Sequence, residues 1–160
     1  MNLRWSRAFQ IRDLLNNVAL ENTVRPPCSN GVYIITRKPW LEVPSALDLP
    51  LYFGGNTQNT NRFRTRIGCL IADLMGFYSK GNGHHSGGQS LHQWCQENAI
   101  NPQDLYIGWA TSSENWCARC AENSVAASLT QGDWKSNFKA VGLLNKNRPS
   151  ACKIHKVAVE

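Results

Sequence analysis

Gly31-Val32-Tyr33-Ile34-Ile35 and Leu51-Tyr52-Phe53-Gly54-Gly55 are two short apolar runs, each setting a tyrosine beside glycine. Their β-branched and aromatic content predicts strands at about 31–36 and 51–54. In the first, Tyr33 and Ile35 face one side, and Val32 and Ile34 face the other. The three prolines of the Lys38–Pro50 segment make the connection a loop rather than a tight turn. A helix is expected over about 61–75, because Phe63, Ile67, Leu70, Ile71 and Leu74 fall on one stripe. Arg62 and Arg66 lie together along one border of that stripe, and Arg64 falls beyond the other. Two strand tyrosines followed by a helix with paired arginines make a candidate site for an anionic substrate. The plain alternative is tyrosines packing their rings and arginines on a solvated flank.

Outward from this centre, residues 7–20 read as a helix, with Ile11, Leu14, Leu15 and Val18 on one face. Pro26-Pro27 breaks the segment that follows. Downstream, Gly81 to Gly88 is a glycine-rich loop carrying His84 and His85, and a short helix from Leu91 to about Asn98 follows. A third strand is expected at Leu105–Ala110 and a helix at about Cys117–Leu129. Trp134 and Phe138 sit in a helical turn, Leu143 to Pro149 is a loop, and Cys152–Val159 reads as a terminal strand.

The chain has 160 residues, which suits one domain with a real core. Its net charge of +6 favours an acidic partner, of which nucleic acid is the commonest. No apolar run approaches the ~18 residues of a membrane span, and the N-terminus carries no signal-peptide pattern, so a cytoplasmic protein is expected. Six cysteines in such a chain argue for thiol or metal chemistry over disulfides. Cys117-Ala-Arg-Cys120 and Cys152-Lys-Ile-His155 are CxxC and CxxH pairs, and Cys₃His completes a zinc tetrahedron. Four unrelated reduced groups are the alternative. Cys28, Cys69 and Cys95 are expected as buried thiols.

Gly31-Val32-Tyr33, then Tyr52-Phe53-Gly54, resembles the paired signature of GIY-YIG nucleases. The order of an arginine helix, a third strand, a helix carrying Glu122 and the Leu144-Asn145 loop adds to the resemblance, which covers about 28–149. Tyr106-Ile107-Gly108 spells the second motif literally, but it lies 73 residues beyond Tyr33 and fits the third strand instead. The resemblance implies an α+β fold, a small three-stranded antiparallel sheet flanked by helices. On this division 1–27 is an N-terminal helix and linker, and 150–160 is a tail that zinc would pin.

The resemblance also implies site residues. Tyr33 matches the tyrosine that takes a proton from the attacking water, and Tyr52 the one that orients water or phosphate. Spacing from Tyr52 points to Arg62 as the phosphate-stabilising arginine, whereas the apolar pattern around it points to Arg66, which is favoured. Family members often carry a His or Tyr one turn later, where this chain has Leu70. His84 or His85, with His85 preferred, is the candidate to supply that missing base or proton shuttle. Glu122 matches the metal-binding glutamate for Mg²⁺ or Mn²⁺. Asn145 matches the late asparagine, with Asn147 as the weaker choice.

The function implied is a divalent-metal-dependent endonuclease on double-stranded DNA, leaving 5′-phosphate and 3′-hydroxyl ends. A compact restriction-type enzyme, acting as a homodimer on a palindrome, is the expected form. The alternative from another class is a non-catalytic zinc module that binds nucleic acid through its basic surface.

Overall fold

Strand β3 (Gly31–Thr36) is buried along its whole length, because it is paired on both edges and covered on both faces. The computed structural model describes residues 3–19, 25–56, 62–79, 84–111 and 117–155. On one side β3 pairs antiparallel with β4 (Pro50–Gly55), placing Tyr33 opposite Gly54 and Ile35 opposite Tyr52. On the other it pairs antiparallel with β5 (Tyr106–Thr111), with Tyr33 opposite Trp109. Tyr106-Ile107-Gly108 thus lies in the third strand of this trio, as expected.

The sheet is larger than the sequence implied. Two short strands, β1 (Arg4–Trp5) and β2 (Phe9–Gln10), both pair antiparallel with β5, giving five strands in place of three. The helix expected over 7–20 therefore begins later, as α1 (Ile11–Ala19). Ladder bonds from Ser6 N–H to Trp109 O and from Ile11 N–H to Leu105 O hold this segment extended. Strands of two residues have no readable period, so tertiary pairing decided what the local pattern left open.

Alternation along β3 divides the core. Tyr33 and Ile35 join Phe63, Ile67, Leu70 and Leu91 under α2 (Phe63–Leu74) and α3 (Ser86–Glu97). Val32 and Ile34 join Phe53, Ala121, Val125 and Trp134 under α4 (Ala118–Thr130) and α5 (Trp134–Val141). The architecture is an α+β sandwich with helices on both sheet faces. Gly31 cannot take a side chain here, since a Cβ would stand 2.6 Å from Ala110 O.

Three further expectations are corrected. The glycine-rich loop stops short of Gly88, because Ser86, Gly87 and Gly88 form the first turn of α3. The terminal strand is absent over 153–155, which form a turn instead, and 156–159 lie outside the described residues. That turn folds His155 back so that its N–H donates to Cys152 Sγ at 3.4 Å. Of the three other cysteines only Cys95 is buried, whereas Cys69 is half-buried and Cys28 exposed. Among the described residues, no helix is long and apolar enough to cross a membrane.

Candidate active site

The two tyrosines, set on neighbouring strands, bring their rings to 6.3 Å between centroids, nearly parallel. Tyr33 is fully buried. Its hydroxyl lies 2.7 Å from His85 Nε2 and fills the space a Cβ on Gly54 would need. Tyr52 is half-buried and lines a polar cleft with Ser86, Gly87, Glu122 and Asn145. A water in the cleft meets Tyr52 first, with Tyr33 behind it.

Burial raises the pKa of Tyr33 well above 10, with Tyr52 and Glu122 adding to the rise and Arg66 opposing it. The Tyr52 pKa is also raised, chiefly by burial and against the pull of Arg66. Both phenols therefore hold their protons more tightly than a free tyrosine.

His85 reaches Tyr33 from an unexpected place. It is the N-cap of α3, and its Nδ1 accepts from the Gly88 N–H at 3.3 Å. A neutral imidazole that accepts at Nδ1 carries its proton on Nε2, so we assign His85 as the donor to the Tyr33 oxygen. In that tautomer His85 donates to Tyr33 through Nε2. His84, one residue earlier, is exposed.

The cap is held by a residue that sequence reasoning missed. Buried Asp73 of α2 accepts the His85 main-chain N–H at 2.7 Å and the Gln89 amide at 3.1 Å. Its other oxygen has no partner among the described residues. A carboxylate inside the apolar Leu70–Leu74 run was the available signal. Asp73 on α2 thus holds His85 at the start of the neighbouring helix.

Two glycines make this approach possible. A Cβ on Gly87 would fall 2.3 Å from Tyr52 Cζ, and one on Gly88 would fall 2.6 Å from Leu70 O. Gly87→Ala is expected to displace Tyr52 and destabilise the fold by about 1–3 kcal/mol, measured by urea unfolding.

Burial, then the positive charge of Arg66, lowers the His85 pKa to about 4, with Asp73 opposing them. The unfolded ring titrates at 6.5, so the unfolded chain takes up a proton first as pH falls. This contribution to stability is full above pH 6.5 and is lost as pH drops through about 4, about 3 kcal/mol in all. Urea melts between pH 7 and pH 4 should show that acid loss, and His85→Gln should shrink it by about that amount.

Arg66, exposed on α2, is the cation that acts on Tyr33, Tyr52, His85 and Glu122. Arg62 is the exposed N-cap of the same helix, and its side chain makes no capping bond. Glu122 sits on α4, its side chain 14% exposed, with Arg119 at 3.2 Å. Its pKa is raised, mainly by burial, with Arg119 and Arg66 both pulling it down. Glu122 is the carboxylate among the residues lining this cleft, and one carboxylate with several waters is an ordinary Mg²⁺ ligand set. Asn145 is buried in the cleft wall, with its amide bonded to the β4 backbone. Its Nδ2 donates to Phe53 O at 2.8 Å, while its Oδ1 accepts from Phe53 N–H at 3.2 Å. It fixes the Leu144-Asn145 loop to the β4 edge. Asn147, the weaker choice, is exposed in the cleft wall.

At the start of α4, Cys117, Cys120, Cys152 and His155 offer ligand atoms that all lie within 4.8 Å of one another. The Sγ atoms of Cys117 and Cys120 are 3.5 Å apart, as are those of Cys117 and Cys152. His155 Nδ1 is 3.2 Å from Cys120, 3.4 Å from Cys152 and 3.8 Å from Cys117. Tetrahedral zinc with ~2.3 Å bonds to sulfur has edges of about 3.8 Å, so the four groups could hold a zinc ion with small adjustment.

A scan of protein-family models and searches of curated proteins and of solved structures found no match to this chain.

Proposed function

We propose that this protein is a Mg²⁺-dependent endonuclease acting on duplex DNA, with its catalytic cleft between β4, α3, α4 and the Leu144–Ser150 segment. The observation that carries the reading is the convergence of Tyr33, Tyr52, His85, Arg66 and Glu122 from five separate elements. A scatter of unrelated surface residues would not share one electrostatic neighbourhood.

In this reading Tyr52 orients the attacking water at the cleft surface. Tyr33, receiving the His85 hydrogen bond, holds Tyr52 from behind. Arg66 balances the charge that grows on the phosphoryl oxygens during in-line attack. Glu122 is the residue that would hold Mg²⁺, after its partner Arg119 turns away. Bound there, the metal supplies positive charge for the leaving oxygen and acidifies the waters around it. As the water oxygen bonds to phosphorus its proton passes to solvent in the open cleft, the bond to the 3′ oxygen breaks, and that oxygen takes up a proton from a neighbouring water, leaving 5′-phosphate and 3′-hydroxyl ends. Zinc on the Cys₃His cluster is structural, joining the tail to the helix that carries Glu122. A compact, dimeric restriction-type enzyme remains the favoured form.

Supercoiled plasmid incubated with zinc-loaded protein and Mg²⁺ should be nicked or cut, with discrete bands and ligatable ends. Loss on chelation and recovery with Mg²⁺ supports the enzyme. Zinc-dependent folding with DNA binding but no turnover would favour the non-catalytic module, which the cysteine cluster and net charge of +6 also suit.

A further inference from the structure

The segment after α5 forms a short arch held at both ends. At its start Leu144 N–H donates to Leu51 O at 2.7 Å, and Asn145 makes its two bonds to Phe53. At its end the buried Asn123 amide donates to Ser150 O at 2.9 Å, and Cys152 enters the Cys/His cluster. Between these ties Lys146, Asn147 and Arg148 are exposed, and all three line the cleft that holds Tyr52 and Glu122. Among the described residues neither Lys146 nor Arg148 is paired with a carboxylate.

The cleft has a volume of about 220 Å³, and its opposite wall is the first turn of α3, with Ser86, Gly87 and Ser90. His85 caps the Gly88 amide, so the free amides at this 12-residue helix start belong to Ser86 and Gly87. Charged side chains lining the cleft are Arg119, Lys146 and Arg148 against Glu122, three positive minus one negative, an excess of two positive charges. A polar cleft with that excess, two unpaired cations and a helix N-terminus is built for an anion.

We propose that residues 146–148 and the first turn of α3 clamp a backbone phosphate of the cleaved strand, next to the scissile one. This deepens the nuclease reading and rests on it. The scissile phosphate lies toward Arg66 and Tyr52, so the arch takes a neighbouring phosphate of the same strand. Because both ends of the arch are tied, little backbone freedom remains to be lost on binding. The contact is to phosphate and positions the strand without reading its sequence.

The test is anisotropy titration of a short labelled DNA duplex over a range of salt, in the uncleaving Glu122→Gln background. Adding Lys146→Ala and Arg148→Ala together should weaken binding roughly tenfold and flatten the salt slope by about one. The control is Arg4→Ala, exposed on β1 at the sheet edge opposite β4, which should leave the slope unchanged. Lys146→Gln with Arg148→Gln should repeat the loss, and zinc content checks that both double variants are folded. An unchanged slope in the double variants, or an equal loss from Arg4→Ala, would overturn the clamp while leaving the nuclease reading intact. Failure of the parent to bind duplex at all would sink both.

Discussion

Arg66→Ala is expected to cut the rate of DNA cleavage by about 10²- to 10³-fold, the usual cost of one transition-state donor. Arg66 is exposed on α2, and its side chain also hydrogen-bonds the buried Tyr33 hydroxyl. Its charge acts on both tyrosines, on His85 and on Glu122. Arg62→Ala, at the helix N-cap, should cost far less, because Arg66 is the α2 arginine whose charge acts most on those groups. Single-turnover rates at saturating DNA separate the two. Equal losses would mean that both arginines only attract DNA.

Cys120→Ser is expected to abolish zinc binding and lower Tm on the order of 10 °C. Cys120 is fully buried, and three ligand groups surround its sulfur at 3.2 Å and beyond. A serine cannot replace the thiolate, and without the ion nothing joins the remaining ligand groups. The loss reaches the cleft, because the cluster ties the tail beside Glu122 and one end of the 146–148 arch. Metal analysis and thermal melts on the same samples give both numbers. Full stability with no zinc bound would refute the structural role.

Much of this fold was legible along the chain, and the reason lies in period. The β3 run alternates between two cores, and the α2 stripe repeats at helical spacing, so each element announced its buried face. The short strands Arg4–Trp5 and Phe9–Gln10 could not, since they exist by pairing with β5. The start of α3 was hidden by Gly87 and Gly88, which disfavour helix by about 1 kcal/mol each. Tertiary contact explains them, because a side chain at either would strike Tyr52 or α2.

The site was legible as a set of residues more than as a set of roles. Tyr33, Tyr52, Arg66, His85 and Glu122 do meet, but the order of contact is a property of packing. Tyr33 sits behind Tyr52, and the His85 tautomer follows from its cap on Gly88. Asn145 spends its amide on the Phe53 backbone, and Asp73 enters as a buried support. The CxxC and CxxH pairs were the most readable feature, since ligand spacing survives in the sequence while a relay of hydroxyls does not.

The central claim is that the cleft hydrolyses phosphodiester bonds through a metal held on Glu122. The most direct measurement compares native protein with Glu122→Gln at equal zinc content, on supercoiled DNA with added Mg²⁺, with the product ends sequenced. The account predicts 5′-phosphate and 3′-hydroxyl ends from the native protein and at least about a 10²-fold slower reaction from the variant. Equal cleavage by both would contradict it.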